Sequence, residues 1–346
     1  MQAHLKKAAS LFLILLLFQN CNNAQQNIAG TNSNNPAELA SNSEQPSTDD
    51  RTFQLTKQIK LPKELADATN IAVDLGTAYL LVDGKVYVYD LKKEKTTNSF
   101  DLVDSKGNKL SITRYGKHDL YYQEEKDYLF LVLEHSICYY ASTGAFLGEL
   151  KKPTNNFEPR DIAFDFYNNG IYALDINIKP SCVYFWEDVQ AEPVTIFKGN
   201  YDIDPVNITS IHSFSNPVIK ILDYTSTLHH FHQDIETNAW KFTEVLAYDK
   251  QNNFDPEGNQ MESNGNEIFI LEHLSKEAST PIIKIYSCLK KDASENVFLQ
   301  TIDNLPKHPT LGITVIQDFA LDGIEELLIL SQGIILEYKN GYGEKK

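Results

Sequence analysis

The side chains best suited to chemistry are oxygen donors spread along the middle of the chain. Glu158, Asn207 and Glu257 carry carboxylate and amide oxygens, the ligands a hard cation such as Ca2+ prefers. Glu158 and Glu257 fall in two similar stretches, 155–160 (NNFEPR) and 252–257 (NNFDPE), with Asn207 between them. Arg160 and Asp255 belong to the same stretches, Asp161 directly follows the first, and all three are expected to face a ligand. A second set is Leu228-His229-His230-Phe231-His232. On a strand, His230 and His232 share a face and could reach one Zn2+, but no third ligand shows in the spacing. Two histidines on an exposed strand are the plainer reading. In 318–327 (DFALDGIEEL) the acids are spaced as in a calcium loop, with Ala320 at a ligand position; a metal-free turn is expected there. Cys138, Cys182 and Cys288 read as buried thiols, with a Cys138–Cys182 bridge as the alternative. No phosphate-cradling G-x-x-x-x-G-K-[ST], no G-x-S-x-G and no H-E-x-x-H occurs.

The elements that must position these residues are strands. Short apolar runs rich in aromatic and β-branched residues recur between Gly, Asn, Asp and Pro, and long amphipathic helical periodicity is nearly absent. One phrase recurs six times: an apolar strand, an acidic or polar stop, a turn, then an aromatic-rich strand. Residues 78–83 (AYLLVD) lead into 86–90 (VYVYD), and 170–175 (GIYALD) lead into 182–186 (CVYFW). The stops are Asp83, Glu134, Asp175, Asp223, Glu272 and Ser331, spaced 51, 41, 48, 49 and 59 residues apart. That period suits four-stranded propeller blades of roughly 40–50 residues. A stop repeated in every blade reads as a turn residue accepting backbone N–H groups. The last blade runs out of chain after its third strand, and 53–61 (FQLTKQIKL) is a strand with no blade of its own. Placing it as the outer strand of the last blade closes the ring. The expected fold is therefore an all-β, six-bladed propeller over 51–346; two stacked sheets are the competing arrangement.

The third blade carries a family likeness. Phe157, Pro159, Ile162, Ala163 and Asp165, then Gly170-Ile171-Tyr172 with Asp175, then Val183 and Phe185, resemble the F-x-x-P-x-x-I-A-x-D, G-x-I-Y-V-x-D and R-V-x-x-F pattern of an NHL-repeat blade. The resemblance covers about 30 residues, is echoed in the fifth blade, and implies a six-bladed ring without implying an activity. Six-bladed lactonase and phosphotriesterase-like enzymes hold a channel calcium with Glu, Asn and Asp. That resemblance would give Glu158, Asn207 and Glu257 the metal, which would polarise the scissile group as a Lewis acid. Asp255-Pro256-Glu257-Gly258 with the later Glu272 resembles a short motif of phytase-like propellers, and 318–327 resembles an FG-GAP calcium loop.

The N-terminus speaks to location. Lys6 and Lys7 precede an 11-residue apolar run, 8–18, too short for the roughly 20 residues of a membrane-spanning helix. Cys21 follows, as in the signal of a bacterial lipoprotein, where such a Cys becomes the lipid-bearing first residue; Asn20 and Gln19 depart from the usual residues before it. A plain cleaved signal with an incidental Cys is the alternative. Residues 22–50 contain no aromatic residue and are dominated by Asn, Ser, Gln and Pro, the composition of a flexible tether. Asn22, not Asp, follows Cys21, which favours the outer membrane of a diderm bacterium. The chain has 47 acidic and 31 basic residues, a net charge of −16. That balance excludes phosphate-backbone binding and electrostatic docking on anionic lipid. The expectation is a monomeric, non-enzymatic binding module of the cell envelope, joined to the membrane through its lipid alone, with a protein, peptide or glycan partner and no cofactor. A calcium-dependent hydrolase with its site in the channel is the alternative.

Overall fold

The computed structural model describes residues 51–342 apart from 113–117, 166–167, 177–180, 199–204, 212–216, 224–226, 235, 248–253, 275–280, 288–296, 304, 306, 308–314 and 324. The expected signal, Cys21, the tether and Cys288 lie outside the described residues. The described strands form six four-stranded antiparallel sheets. Strand β1 (Arg51–Lys60) is the outermost of the last sheet. Blade 1 is β2 (Asn70–Asp74), β3 (Thr77–Val82), β4 (Lys85–Asp90) and β5 (Lys95–Asp101). Blade 2 is β6 (Asp119–Gln123), β7 (Tyr128–Leu133), β8 (Ser136–Ala141) and β9 (Phe146–Glu149). Blade 3 is β10 (Pro159–Phe164), β11 (Ile171–Asp175), β12 (Cys182–Trp186) and β13 (Val194–Lys198). Blade 4 is β14 (Pro205–Ile211), β15 (Val218–Asp223), β16 (Thr227–Gln233) and β17 (Trp240–Ala247). Blade 5 is β18 (Phe254–Ser263), β19 (Glu267–Leu274), β20 (Ile282–Ser287) and β21 (Val297–Ile302). Blade 6 is β22 (Asp318–Asp322), β23 (Glu326–Ser331) and β24 (Ile334–Tyr342), completed by β1. The protein is a six-bladed β-propeller.

Each blade has two apolar faces, and alternation along a strand sends successive side chains to opposite neighbours. On β23, Leu327 and Ile329 pack with blade 5 while Leu328 and Leu330 pack with blade 1, so the run reads as uninterrupted hydrophobicity. Six apolar clusters result, one between each pair of adjacent blades. The ring closes as the sequence implies. Strand β1 pairs antiparallel with β24 from Arg51↔Tyr342 to Lys60↔Ile334, with a register shift between Leu55 and Lys57. Phe53 enters the cluster between blades 5 and 6, and Ile59 the one between blades 6 and 1. Two-residue turns such as Asp83-Gly84 (φ 48° and 76°) have the left-handed geometry that matches strand twist.

The apparent calcium loop is not a loop. Asp318–Asp322 is β22, the inner strand of blade 6, paired with β23 through Asp318↔Leu330 and Asp322↔Glu326. The burial of Phe319 between blades overrides the local acidic spacing.

Candidate functional site in the central channel

The six inner strands each carry a polar residue followed by an apolar one: Asn70-Ile71, Asp119-Leu120, Asp161-Ile162, Asn207-Ile208, Gln260-Met261 and Asp318-Phe319. The apolar member always packs in the cluster shared with the preceding blade. The polar members therefore turn the other way and form a belt around the channel. Their hydrogen bonds stitch blade to blade. Asp161 accepts Ile162 N–H through Oδ1 (2.8 Å) and, from the next blade, Ile208 N–H through Oδ2 (2.8 Å). Asp318 does the same with Phe319 N–H (2.8 Å) and, across the ring closure, Ile71 N–H (2.7 Å). Asp119 accepts Leu120 N–H (2.8 Å) and the Asn70 amide (3.0 Å).

Tyr121 binds two of these carboxyls at once. Its hydroxyl lies 2.5 Å from Asp161 Oδ1 and 3.0 Å from Asp119 Oδ2. A phenol has one proton to donate. The second contact is therefore a full hydrogen bond only when that carboxyl carries a proton itself. Burial, chiefly, pushes Asp161 up to about 7, with the neighbouring Asp119 charge adding to it and the Tyr121, Ile208 and Asn207 donors opposing it. Burial also raises Asp119, and it lifts Asp318 and Glu262 well above the carboxylate range. For Glu262 the further causes are the Asp161, Asp119 and Asp318 charges, all of its own sign. Burial thus favours the protonated form of these channel carboxyls.

Beside the belt, at the end where the inner strands finish, lies a cavity of about 270 Å³. Asp119, Tyr121, Glu262 and Asp318 line it from the belt side, and Asp74, Glu124 and Asp322 line it towards its mouth. Asp322 fixes the rim by accepting Leu75 N–H (2.9 Å) and Gly76 N–H (2.6 Å) from the neighbouring blade. The turn so held puts Leu75 at φ 42° with 79% of its surface exposed. A branched, apolar side chain in the left-handed region at a cavity mouth is the kind of strained position that clusters at functional sites.

The residues expected from sequence fall unevenly around this site. Asp161 is a belt residue, and Arg160 precedes it on β10, its charge favouring the ionised form of Asp119. Asn207 is a belt residue too, buried at 6% exposure; its amide donates to Asp161, and its Oδ1 has no partner. Glu158 and Glu257 each stand three residues ahead of their blade's belt position. Glu158 lies just before β10, where its N–H reaches Asp175 (3.4 Å) and its carbonyl accepts Ile176 N–H (3.4 Å). Asp255 and Glu257 are in β18, Asp255 at the edge of a register shift that runs to Gln260 and Glu257 within it, and their side chains lie outside the described residues. Asn207 is thus the one of the three expected calcium ligands seen to present an unpartnered oxygen. Among the described residues, no three His, Cys, Asp or Glu side chains converge as metal ligands would.

The remaining candidates are structural. Asp223 ties its turn as expected, accepting Thr227 N–H (2.9 Å), and also lies 2.6 Å from His229 Nε2. Asp83 and Glu134 are exposed turn residues, whereas Glu272 is buried and paired with Lys284 at 3.1 Å. His230 and His232 do share a face, with ring centroids 5.8 Å apart. The strand is not an exposed one, however: His230 is buried at 3% because blade 5 packs over it. Cys138 and Cys182 are buried thiols not bridged to one another, in different inter-blade clusters. Sequence reading missed Asp119, Tyr121, Glu262 and Asp318 as a group. The recurring polar–apolar pair, at intervals of 49, 42, 46, 53 and 58 residues, is the signal that finds the belt.

No protein-family model matches the chain, and no curated protein does. Solved structures show the fold. The RRP9 WD40 repeats superpose with a TM-score of 0.54 at 9% identity, over 84% of this chain and 100% of that one. A structural-genomics protein of unknown function from Bacteroides thetaiotaomicron gives 0.50 at 14% identity, over 85% of this chain and 72% of that one. Chaetomium thermophilum Raptor gives 0.48 at 12% identity; the chain covers 84% of itself and spans only 30% of that much longer protein. At these identities the likeness is one of β-propeller architecture.

Proposed function

We propose that the chain is an envelope lipoprotein, lipidated on Cys21, whose NHL-like propeller is a non-enzymatic binding module with its recognition site at the cavity end of the channel. The observation that carries this reading is the division of labour among the channel acids. Asp161 and Asp318, on the belt, have both carboxyl oxygens engaged by main-chain N–H groups of their own strand and of the next blade, whereas Glu262 lines the cavity without such donors. The cavity beside them is concave and half open, with all its charged lining residues acidic and an exposed leucine at its mouth. Concave sites of this kind bind ligands. The partner on this reading is an envelope protein, peptide or glycan, and the tether gives the propeller reach from the outer membrane.

The test has two parts. Cys21→Ser should move the protein from the membrane fraction to the soluble fraction of the bacterium that makes it. A photo-crosslinker at Leu75 should capture a discrete envelope component that a crosslinker on the outer strand β5 does not. Calcium-dependent hydrolysis of lactones or phosphoesters, abolished by Glu158→Ala and Glu257→Ala in folded protein, would replace this reading with the hydrolase.

A further inference from the structure

The geometry points to a specific ligand chemistry: we propose that the channel cavity binds an organic cation, an alkylammonium or guanidinium group the size of a lysine or arginine side chain. This rests on the reading of the channel as a binding site and adds what the site binds. Eight of the described residues lining the cavity are Asp or Glu, and none is Lys, Arg or His. One acceptor there lacks a donor, and a second lies on the belt beside it. Glu262 lines the cavity with no hydrogen bond to its carboxyl among the described residues, and the charges acting on it are Asp161, Asp119 and Asp318. Asn207, 6% exposed and on the belt beside the cavity, gives its amide nitrogen to Asp161 and leaves Oδ1 without a partner. An ammonium brings three donors and a guanidinium five.

Size and walls select the rest of the ligand. At about 270 Å³ the cavity falls just below the roughly 300–1,000 Å³ of drug-sized pockets, so it suits one long side chain and not an oligosaccharide. Ala72, Ala163, Phe164, Ala320 and Leu321 supply apolar wall against which a methylene stem can lie while its charged head meets the acids. A metal ion fits less well, because no three carboxylates converge on a point among the described residues. An organic cation instead makes separate hydrogen bonds to groups spread around the wall. Its arrival would expel protons held by the crowded carboxyls.

The test is isothermal titration of the full-length protein in detergent with four probes: N-acetyl-lysine methylamide, 1,5-diaminopentane, the neutral N-acetyl-norleucine methylamide, and CaCl2. The expected result is saturable one-to-one binding of the lysine probe, none of the norleucine probe, and release of protons seen as heat that changes with the buffer. Binding of the diamine as well would point to free amines; binding of the lysine probe alone would point to a side chain of a partner. Glu262→Gln, which has the shape of the protonated acid, should weaken the cation tenfold or more, the loss of one charge-assisted hydrogen bond. An unchanged thermal midpoint at pH 5 shows that this variant is folded. The proposal is overturned if neither amine saturates, if Glu262→Gln binds equally well, or if only Ca2+ binds. Capture of the envelope partner through Leu75 that persists undiminished in Glu262→Gln would sink the cation site while leaving the binding module standing.

Discussion

At the belt, Asp161 and Asp318 have both carboxylate oxygens engaged, each accepting an N–H from its own strand and another from the next blade. Two residues beyond the belt position of its blade, Glu262 lines the cavity with like charges for neighbours, and Asp74 at the mouth is raised by burial and by Glu124, Asp322 and Asp127, against a hydrogen bond from Tyr122. Both regions are acidic, but the donors differ. Main-chain amides hold the belt acids in place and make them part of the fold. Glu262 and Asp74 have few donors of their own, so they remain available to a ligand. The same residue type is architecture in one place and recognition surface in the other, and the available hydrogen-bond donors make the difference.

The largest expected effect breaks the belt. Asp161→Ala or Asp318→Ala leaves a buried N–H from the next blade without an acceptor, and should cost about 3 kcal/mol. Urea unfolding measures it, and a loss below about 1 kcal/mol would mean that the belt bonds do not hold the blades. Next comes pH. Carboxyls whose pKa is raised on folding bind more protons folded than unfolded. Their stabilisation is complete below the unfolded pKa near 3.8 and is lost as pH climbs through the folded value, about 7 for Asp161. Stability should therefore fall by about 2 kcal/mol from pH 5 to pH 8. The exposed acids work in the opposite sense: a hydrogen bond from Lys241 holds Asp234 at about 2, and Lys93 lowers Asp90, so their contribution disappears only below about pH 4. Maximum stability at about pH 4 follows, measurable by thermal melts across a buffer series. A curve that is flat or rising between pH 5 and 8 would show that the channel holds no protons.

Two smaller effects sharpen the contrast at the rim. Asp322→Ala removes the acceptor of Leu75 N–H and Gly76 N–H and should cost about 1.5 kcal/mol, less than a belt acid because water can reach the freed amides. Leu75→Asn keeps the turn but suits its left-handed backbone better, so it should stabilise by about 0.5 kcal/mol while weakening partner capture. A gain in stability with undiminished capture would make Leu75 an ordinary surface residue.

Much of the architecture was legible in the order of the residues. Uninterrupted runs such as 326–331 announce strands covered on both faces, and the unpaired 53–61 segment with a short last blade announces how the ring closes. Both are local statements about burial. The 318–327 stretch misled because its acids match a loop in spacing, while Phe319 and Leu321 place it in a strand between blades. His230 misled for a related reason: alternation gives a face correctly but not whether another blade covers it. Likewise, the oxygen donors at 158, 207 and 257 were read as one group because they are chemically alike, yet their distance from the channel depends on how far along its blade each one stands.

The sequence by itself determined the number of blades, their strands and the closure of the ring, because strand formation and two-sided burial depend on the alternation and composition of near neighbours. It also determined the excess of negative charge. Only the tertiary structure decided which carboxylates meet. Asp119, Asp161, Glu262 and Asp318 are far apart in the chain and have unremarkable sequence neighbours. Closing six twisted sheets around one axis withdraws them from water together, and that shared desolvation makes them hold protons and leaves a cavity of one charge.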